Sequence, residues 1–355
     1  MPETAIMISH AGHLEPHWHG RAAQPRRRRP ALFIALIAFL SILAVAGGAI
    51  VGGGLLYAGS VASTFSSTVK HIPNAFPPAA TRPVAVSTGA MNILLIGSDS
   101  RGDPTTISAT GTSNQRSDTL MLVHIDADRR NVYVMSIMRD LWVPIPGNGT
   151  AKINAALAWG GTPLVVQTVE QLLGTPIDHV AIIDFQGLAG MTDALGGVDV
   201  DSPVGFTTVL KPHYTFVKGI NHLDGSQALA FARERYAFPT ADYQRVADQQ
   251  ALIRAIVSKV LSRSTLADPA AMTAFVGAMG RYLSVDEKFD LPTIIGLAAS
   301  MRLDGASSIH TFTMPTGGTG TSADGQSIVN VDQNSLSALR TAYAHDQLGT
   351  LAQTR

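Results

Sequence analysis

The chain of 355 residues contains no cysteine. Disulfide staples, thiolate nucleophiles and Cys-ligated zinc are therefore excluded. Charge is scarce and has no net sign: 26 Lys+Arg balance 26 Asp+Glu, and charged residues make up only 15%. A nucleic-acid binder usually carries a broad basic excess, so that class is disfavoured. Three catalytic signatures are missing as well. There is no G-x-S-x-G elbow, no G-x-x-x-x-G-K-[ST] phosphate loop and no H-E-x-x-H zinc helix. No internal repeat is present. What is there is a chain 46% hydrophobic, long enough for one large domain or two small ones.

The first thirty residues are polar, rich in Pro, Arg and His, and end in "RRRRP". Residues 31–58 then read "ALFIALIAFLSILAVAGGAIVGGGLLYA", without a charge. That length crosses a hydrocarbon core of about 30 Å as a helix. A cleaved signal peptide has a shorter apolar stretch of about 7–15 residues, and no clear A-x-A site follows. The reading is a disordered cytoplasmic tail (1–30) and a retained transmembrane helix (31–58). The preceding arginines keep the tail inside and place the rest of the chain outside the cytoplasmic membrane. His10, His13, His17 and His19 carry metal-ligating atoms, but their surroundings have the composition of a disordered tail. Residues 59–90, containing "IPNAFPPAATRPVAVSTG", read as a stalk.

The domain begins at "MNILLIGSDSR", where residues 91–96 are an apolar run ending in Gly and Asp. Residues 119–126 and 131–138 are two more strand-like runs around the short turn "ADRR". A helix is expected over 153–173, a buried strand over 179–185, a short helix to Leu195 and an edge strand over 196–203. Asp224 is positioned to cap a helix to about Arg235, and Asp242 a longer one to about Ser262. The last ninety residues add two helical stretches and the strand-like "SIHTFTMP". Alternating strands and helices predict a three-layer α-β-α sandwich on a mixed sheet. Residues 91–262 form its core, 263–345 complete it, and 346–355 are a tail.

Charges collect at strand ends. Asp99 and Arg101 follow the first strand, Arg116 and Asp118 precede the second, and Arg139 and Asp140 follow the third. If the second strand is antiparallel to the other two, all six meet at one sheet edge, where open α/β folds bind ligands. Arg233, Arg235 and Arg245 come to the same place from the two later helices, and Gln249 shares a helix face with Arg245. On a regular helix, Arg235 points away from Arg233. Arginine gives planar, bidentate contacts to phosphate oxygens, and magnesium takes one or two carboxylates with substrate phosphates. The set therefore suits a polyanion with a divalent cation. The rival reading is ordinary surface ion pairs, worth about 0–1 kcal/mol each. Lys152 and Asn154 read as helix-start residues, with a supporting role behind the site as the alternative.

At these residues the chain resembles the LytR–CpsA–Psr family of cell-wall glycopolymer ligases. The matching segments are "NILLIGSDSR", "RSDTLMLVHID", "MSIMRDLWVPIPG", "KINAALAWGG", "TPIDHVAIIDFQGLAGMTDALGGVDVD", "LDGSQALAFARER" and "DYQRVADQQ", in family order across 91–262. The resemblance implies transfer of a phosphoglycan from a polyprenyl-pyrophosphate carrier to peptidoglycan. By motif position, Asp99 and Asp118 match the magnesium-associated aspartates. Arg116, Arg139, Arg233, Arg235 and Arg245 match the pyrophosphate-binding arginines, to which Arg101 is added from its place at the strand end. Gln249 matches a polar partner. Arg139 with Asp118 or Asp140 would serve catalysis, one aspartate orienting the acceptor hydroxyl. An apolar pocket for the prenyl chain is expected to draw part of its lining from 153–195. One departure stands out: the family pattern D-x-x-R-x-x-R-Q-Q has Asp248 here in place of its second arginine. Asp248 is expected to be dispensable, so that alanine or arginine there leaves activity intact. Two other functions remain open, a pyrophosphohydrolase and a non-catalytic lipid-binding or regulatory protein.

Overall fold

A computed structural model of the chain describes residues 63–84, 88–98, 117–184, 187–209, 211–234, 236–238, 268–303 and 308–353, with shorter stretches between 248 and 266. The expected tail (1–30) and transmembrane helix (31–58) lie outside the described residues. Among the described residues no helix is long and apolar enough to cross a membrane.

Seven strands build the central sheet: β1 (Lys70–Ile72), β2 (Met91–Ser98), β3 (Ser117–Ile125), β4 (Val132–Ile137), β5 (His179–Asp184), β6 (Leu283–Asp286) and β7 (Ile309–Thr313). Their spatial order is β1-β6-β5-β2-β3-β4-β7. β2 runs parallel to β5 and antiparallel to β3, and β3 is antiparallel to β4. The sheet is mixed, as the alternation of elements predicted. Ile93, Leu94, Leu95 and Ile96 are all 0% exposed, so β2 is covered on both faces. That is why it reads as a continuous apolar run and not as an alternating one.

Successive residues feed two separate cores. Ile93, Leu95, Met121 and Val123 join helices α2 (Gly187–Ala194), α3 (Gly225–Arg233), α4 (Pro269–Gly280) and α5 (Leu291–Ser300) on one face. Leu94, Ile96, Leu120 and Leu122 join α1 (Ala155–Leu173), α6 (Gln333–Ala344) and α7 (Leu348–Gln353) on the other. Helices thus cover both faces of the sheet. The expected prenyl-pocket contributors of 153–195 are split by it: α1 packs on one face, while Met191 and Leu195 pack on the other.

Several boundaries move. The helix expected over 153–173 is broken by non-helical Gly160 and Gly161, the latter with φ 63°. Gly161 sits where a side chain is disfavoured by the left-handed backbone. Residues Val198–Ser202 do form a strand, but it pairs with Gly219–Leu223 in a separate two-stranded sheet. Asp224 caps α3 as expected, with Gln227 completing a reciprocal capping box. The helix stops two residues early, at Arg233. Asp242 lies outside the described residues.

Two segments expected to lie outside the domain belong to it. In the supposed stalk, residues 63–68 are helical and β1 pairs in parallel with β6. Phe65, Val69, Ile72 and Ala75 are buried. Low charge and proline made this stretch look like a linker, but Phe65 and Val69 pack in the core that holds α4, and Ile72 and Ala75 in the core on the other face. Likewise α7 seats Leu348 at 1% exposure, so residues 346–353 are not a free tail.

The first of these corrections can be measured. Gly280 ends α4 against the segment 63–69, and a methyl group there would collide with Thr68, reaching its Cβ at 2.9 Å and Val69 at 3.2 Å. Overpacking of this kind typically costs about 1–3 kcal/mol. Gly280→Ala is therefore expected to lower the urea midpoint, with activity per folded molecule retained. An unchanged midpoint would show that 63–69 is not packed on the domain.

Candidate active site

Strand direction decides where the charges meet. Ser98 pairs with Ser117 at one end of β2 and β3, and Leu120 pairs with Ile137 at the same end of β3 and β4. Asp118 lies two residues before Leu120, and Arg139 two residues after Ile137. The antiparallel arrangement on which the sequence argument depended is therefore the one the chain adopts. Asp118, on β3, and Arg139, on the turn just after β4, therefore lie at the same end of the sheet.

Arg139 is held by its backbone. Its carbonyl accepts the amide of Asn154 at 3.2 Å, while Leu141 N–H bonds Met138 O at 3.0 Å. The Asp140 carbonyl accepts Val329 N–H at 2.9 Å, and Ile153 N–H bonds Leu141 O at 2.8 Å. Four backbone bonds thus fix the turn after β4. On it, Asp140 faces two cations: Arg139 Nε at 3.6 Å and Lys152 Nζ at 3.3 Å. Side-chain exposures of 43% for Arg139, 35% for Asp140 and 22% for Lys152 leave the group open to a ligand. Asp140 lies between the two cations and holds them on one side of the turn. The sequence reading gave Lys152 a helix-start role, with a supporting role behind the site as the alternative. Asn154 does occupy that position before α1, without a capping side-chain bond. The signal for Lys152 is positional: it ends the strand Gly149–Lys152, which pairs Lys152 with Trp142, close to Asp140 in sequence.

α3 is tied to α2 at its start, where Asp193 accepts the Gly225 amide at 2.7 Å. Arg233 is the last residue of α3. The next residue, Glu234, was missed by the sequence reading. It is 2% exposed, and its carboxylate accepts N–H groups from Val209 (2.7 Å), Tyr236 (2.6 Å) and Ala237 (3.0 Å). A buried carboxylate needs such donors. Here they fix the chain between Arg233 and Arg235.

Asp99, Arg101, Arg116, Arg235, Arg245 and Gln249 lie outside the described residues, and of Asp118 only the backbone is described. Asp248 is helical and 0% exposed. It is engaged by the fold. The expectation that arginine would be tolerated there is revised: a long guanidinium would have to be buried where a short carboxyl now packs.

A mixed sheet covered by helices on both faces, with Arg139, Asp140 and Lys152 grouped just after β4, defines the class: a three-layer α/β domain with a charged group at its strand ends. The LytR_cpsA_psr family model matches residues 60–345, and the chain belongs to that family. Among its relatives is the polyisoprenyl-teichoic acid–peptidoglycan teichoic acid transferase TagU of Bacillus mycoides (strain KBAB4). It is 34% identical over 258 residues, 70% of this chain and 80% of the relative. Among solved structures, B. subtilis TagV aligns with a TM-score of 0.56 at 26% identity, covering 73% of this chain and 98% of that one. The Enterococcus faecalis protein EF0465, titled a transcriptional regulator, aligns with a TM-score of 0.52 at 29% identity, covering 75% and 91%.

Proposed function

We propose that this protein is a membrane-anchored phosphotransferase that moves a glycopolymer phosphate from a polyprenyl-pyrophosphate carrier onto peptidoglycan, outside the cytoplasmic membrane. The observation that supports this reading is the Arg139–Asp140–Lys152 group on the backbone-braced turn after β4; Arg233 is assigned to the same site as part of the proposal. The names of the relatives support the donor and acceptor classes. The uncharged segment 31–58 supports the anchor.

The chemistry follows from the charges. An acceptor hydroxyl oxygen attacks the glycan-bearing phosphorus, a new P–O bond forms, and the bond to the polyprenyl phosphate breaks. The hydroxyl proton passes to a carboxylate, for which Asp118 is the residue best placed on the strand, since Asp140 is flanked by cations. Negative charge on the transferring group is met by Arg139, Lys152 and Arg233, and positioning with electrostatics supplies most of the rate in such reactions. Asp118, with Asp99, offers the hard oxygen donors magnesium prefers, and when bound the ion would neutralise phosphate charge.

The test uses the full-length chain in detergent with a polyprenyl-pyrophosphate-linked glycan. Glycan is expected on peptidoglycan only when acceptor and magnesium are both present, and Asp118→Asn is expected to reduce transfer at saturating magnesium by at least a hundred-fold, within the usual range of about 10²–10⁴ for a positioned acid–base group. Release of free glycan phosphate at the same rate without peptidoglycan would make the protein a hydrolase. No turnover under any condition would leave a lipid-binding role.

A further inference from the structure

At the opposite end of β3, away from the sheet edge just described, lies a second polar cluster. His124, Asp126 and Asp346 each offer one ligand atom, and these atoms all lie within 4.8 Å of one another. His124 Nε2 is 2.8 Å from Asp346 Oδ1 and 3.7 Å from Asp126 Oδ1. The imidazole is almost wholly enclosed, with 1% of its side chain exposed.

The surrounding hydrogen bonds fix what each atom presents. Asn92 donates its amide to Thr175 Oγ1 (3.2 Å) and Pro176 O (2.9 Å), so its carbonyl oxygen faces His124 Nδ1 at 2.7 Å. Nδ1 must therefore carry a proton and donate it. The other ring nitrogen, Nε2, faces two carboxylates. The outer oxygen of each carboxylate is held separately: Asp126 Oδ2 by Asn131 Nδ2 at 3.0 Å, and Asp346 Oδ2 by Ala127 N–H at 3.0 Å. The inner oxygen of Asp126 is buried and has no hydrogen-bond partner. Among the described residues no lysine or arginine pairs with either carboxylate. Burial, together with the neighbouring Asp346 charge, raises the pKa of Asp126 above the ordinary carboxylate value.

His124 Nε2 and two carboxylate oxygens thus converge with no lysine or arginine among the described residues to pair them, and each group is held by a bond on its far side. That is the arrangement in which a metal-bound histidine gives its other N–H to an oxygen acceptor, and ligating carboxylates are themselves hydrogen-bonded. Tetrahedral bonds of about 2.0–2.1 Å put neighbouring ligand atoms roughly 3.3 Å apart, a value that the two observed separations bracket. We propose that His124 Nε2, Asp126 Oδ1 and Asp346 Oδ1 form a site for a divalent transition-metal cation of the zinc class. Imidazole nitrogen favours such an ion over magnesium. The site would bind the corner between α6 and α7 to the end of β3, joining residues 222 apart in sequence.

The competing account is a proton in place of the metal, making a buried imidazolium–carboxylate pair. Zinc alone distinguishes them. Because His10, His13, His17 and His19 can bind zinc themselves, all four are replaced by alanine in every full-length protein compared. After chelation and dialysis, this protein is expected to take up one zinc per chain at micromolar concentration or below, with a melting temperature that rises with the logarithm of zinc concentration. Asp346→Asn and, independently, the near-isosteric Asp126→Asn should each remove that equivalent and flatten the melting response. Zinc uptake equal in all three proteins, or a melting temperature indifferent to zinc, would overturn the site and leave the proton pair.

Discussion

Arg139→Ala is expected to lower glycan transfer about a thousand-fold while leaving the fold nearly intact. The guanidinium is carried by a turn that four backbone hydrogen bonds fix, so its Cα position at the strand end is set. An arginine that meets charge developing on a transferring phosphoryl group is worth about 10³–10⁵ in rate. Its contribution to stability is small by comparison. The pair with Asp140 is 3.6 Å long and its arginine is 43% exposed, the kind of contact worth about 0–1 kcal/mol. Arg139→Lys should recover only part of the loss, because an ammonium cannot reproduce the planar fork. Turnover and melting temperature measured on both variants decide the matter. Normal turnover in Arg139→Ala, with a modest fall in melting temperature, would reduce the group to a surface ion pair and remove the phosphate-binding reading. Arg233→Ala should behave like Arg139→Ala.

The largest stability effect is expected far from that edge, at Arg82. Glu170 on α1 is 0% exposed, and its carboxylate accepts Arg82 Nε at 2.9 Å, Arg82 Nη2 at 2.6 Å and the Ile177 amide at 2.9 Å. Arg82 also donates to the Ile177 carbonyl and lies over the Phe76 ring, 4.8 Å from its centre. Removing one partner of a buried pair strands the other charge and typically costs about 3–5 kcal/mol. Arg82 keeps 24% of its side chain exposed, so water can partly replace it, and the lower end of that range is the expectation for Arg82→Ala. Replacing both residues, as Arg82→Met with Glu170→Met, should be far milder than the single change, since no charge is then left buried. Urea unfolding of the single and double variants gives the coupling directly. A loss under about 1 kcal/mol in Arg82→Ala would show that residues 76–82 do not lock onto α1. The transfer rate per folded molecule should be unaffected, which separates this pair from the group at the sheet edge.

The sequence by itself determined the class of fold and the kind of site. Apolar runs closed by Gly and Asp mark β2 to β5, because a strand buried on both faces must be apolar throughout, and this is a purely local property. Arg and Asp at the ends of those runs mark a charged edge, because strand ends are where a buried strand returns to water. Asp224 announced α3 for the same local reason: a cap acts on amides two and three residues away.

Tertiary structure decided whatever depends on partners remote in the chain. Whether Asp118 and Arg139 fall at the same end of the sheet rested on β3 being antiparallel to its neighbours, which only strand pairing settles. Lys152 joined Asp140 only because a hairpin folds back. Glu234, an acid between two arginines, shows its role only once Val209, Tyr236 and Ala237 aim their amides at it. The stretch 63–82 looked like a stalk because a three-residue strand and one salt bridge to Glu170 leave no periodicity to read. His124 lay unremarked within an apolar strand until Asp346, from the corner after α6, was brought against it. Local sequence sets which face or end a residue occupies; only packing sets what stands opposite.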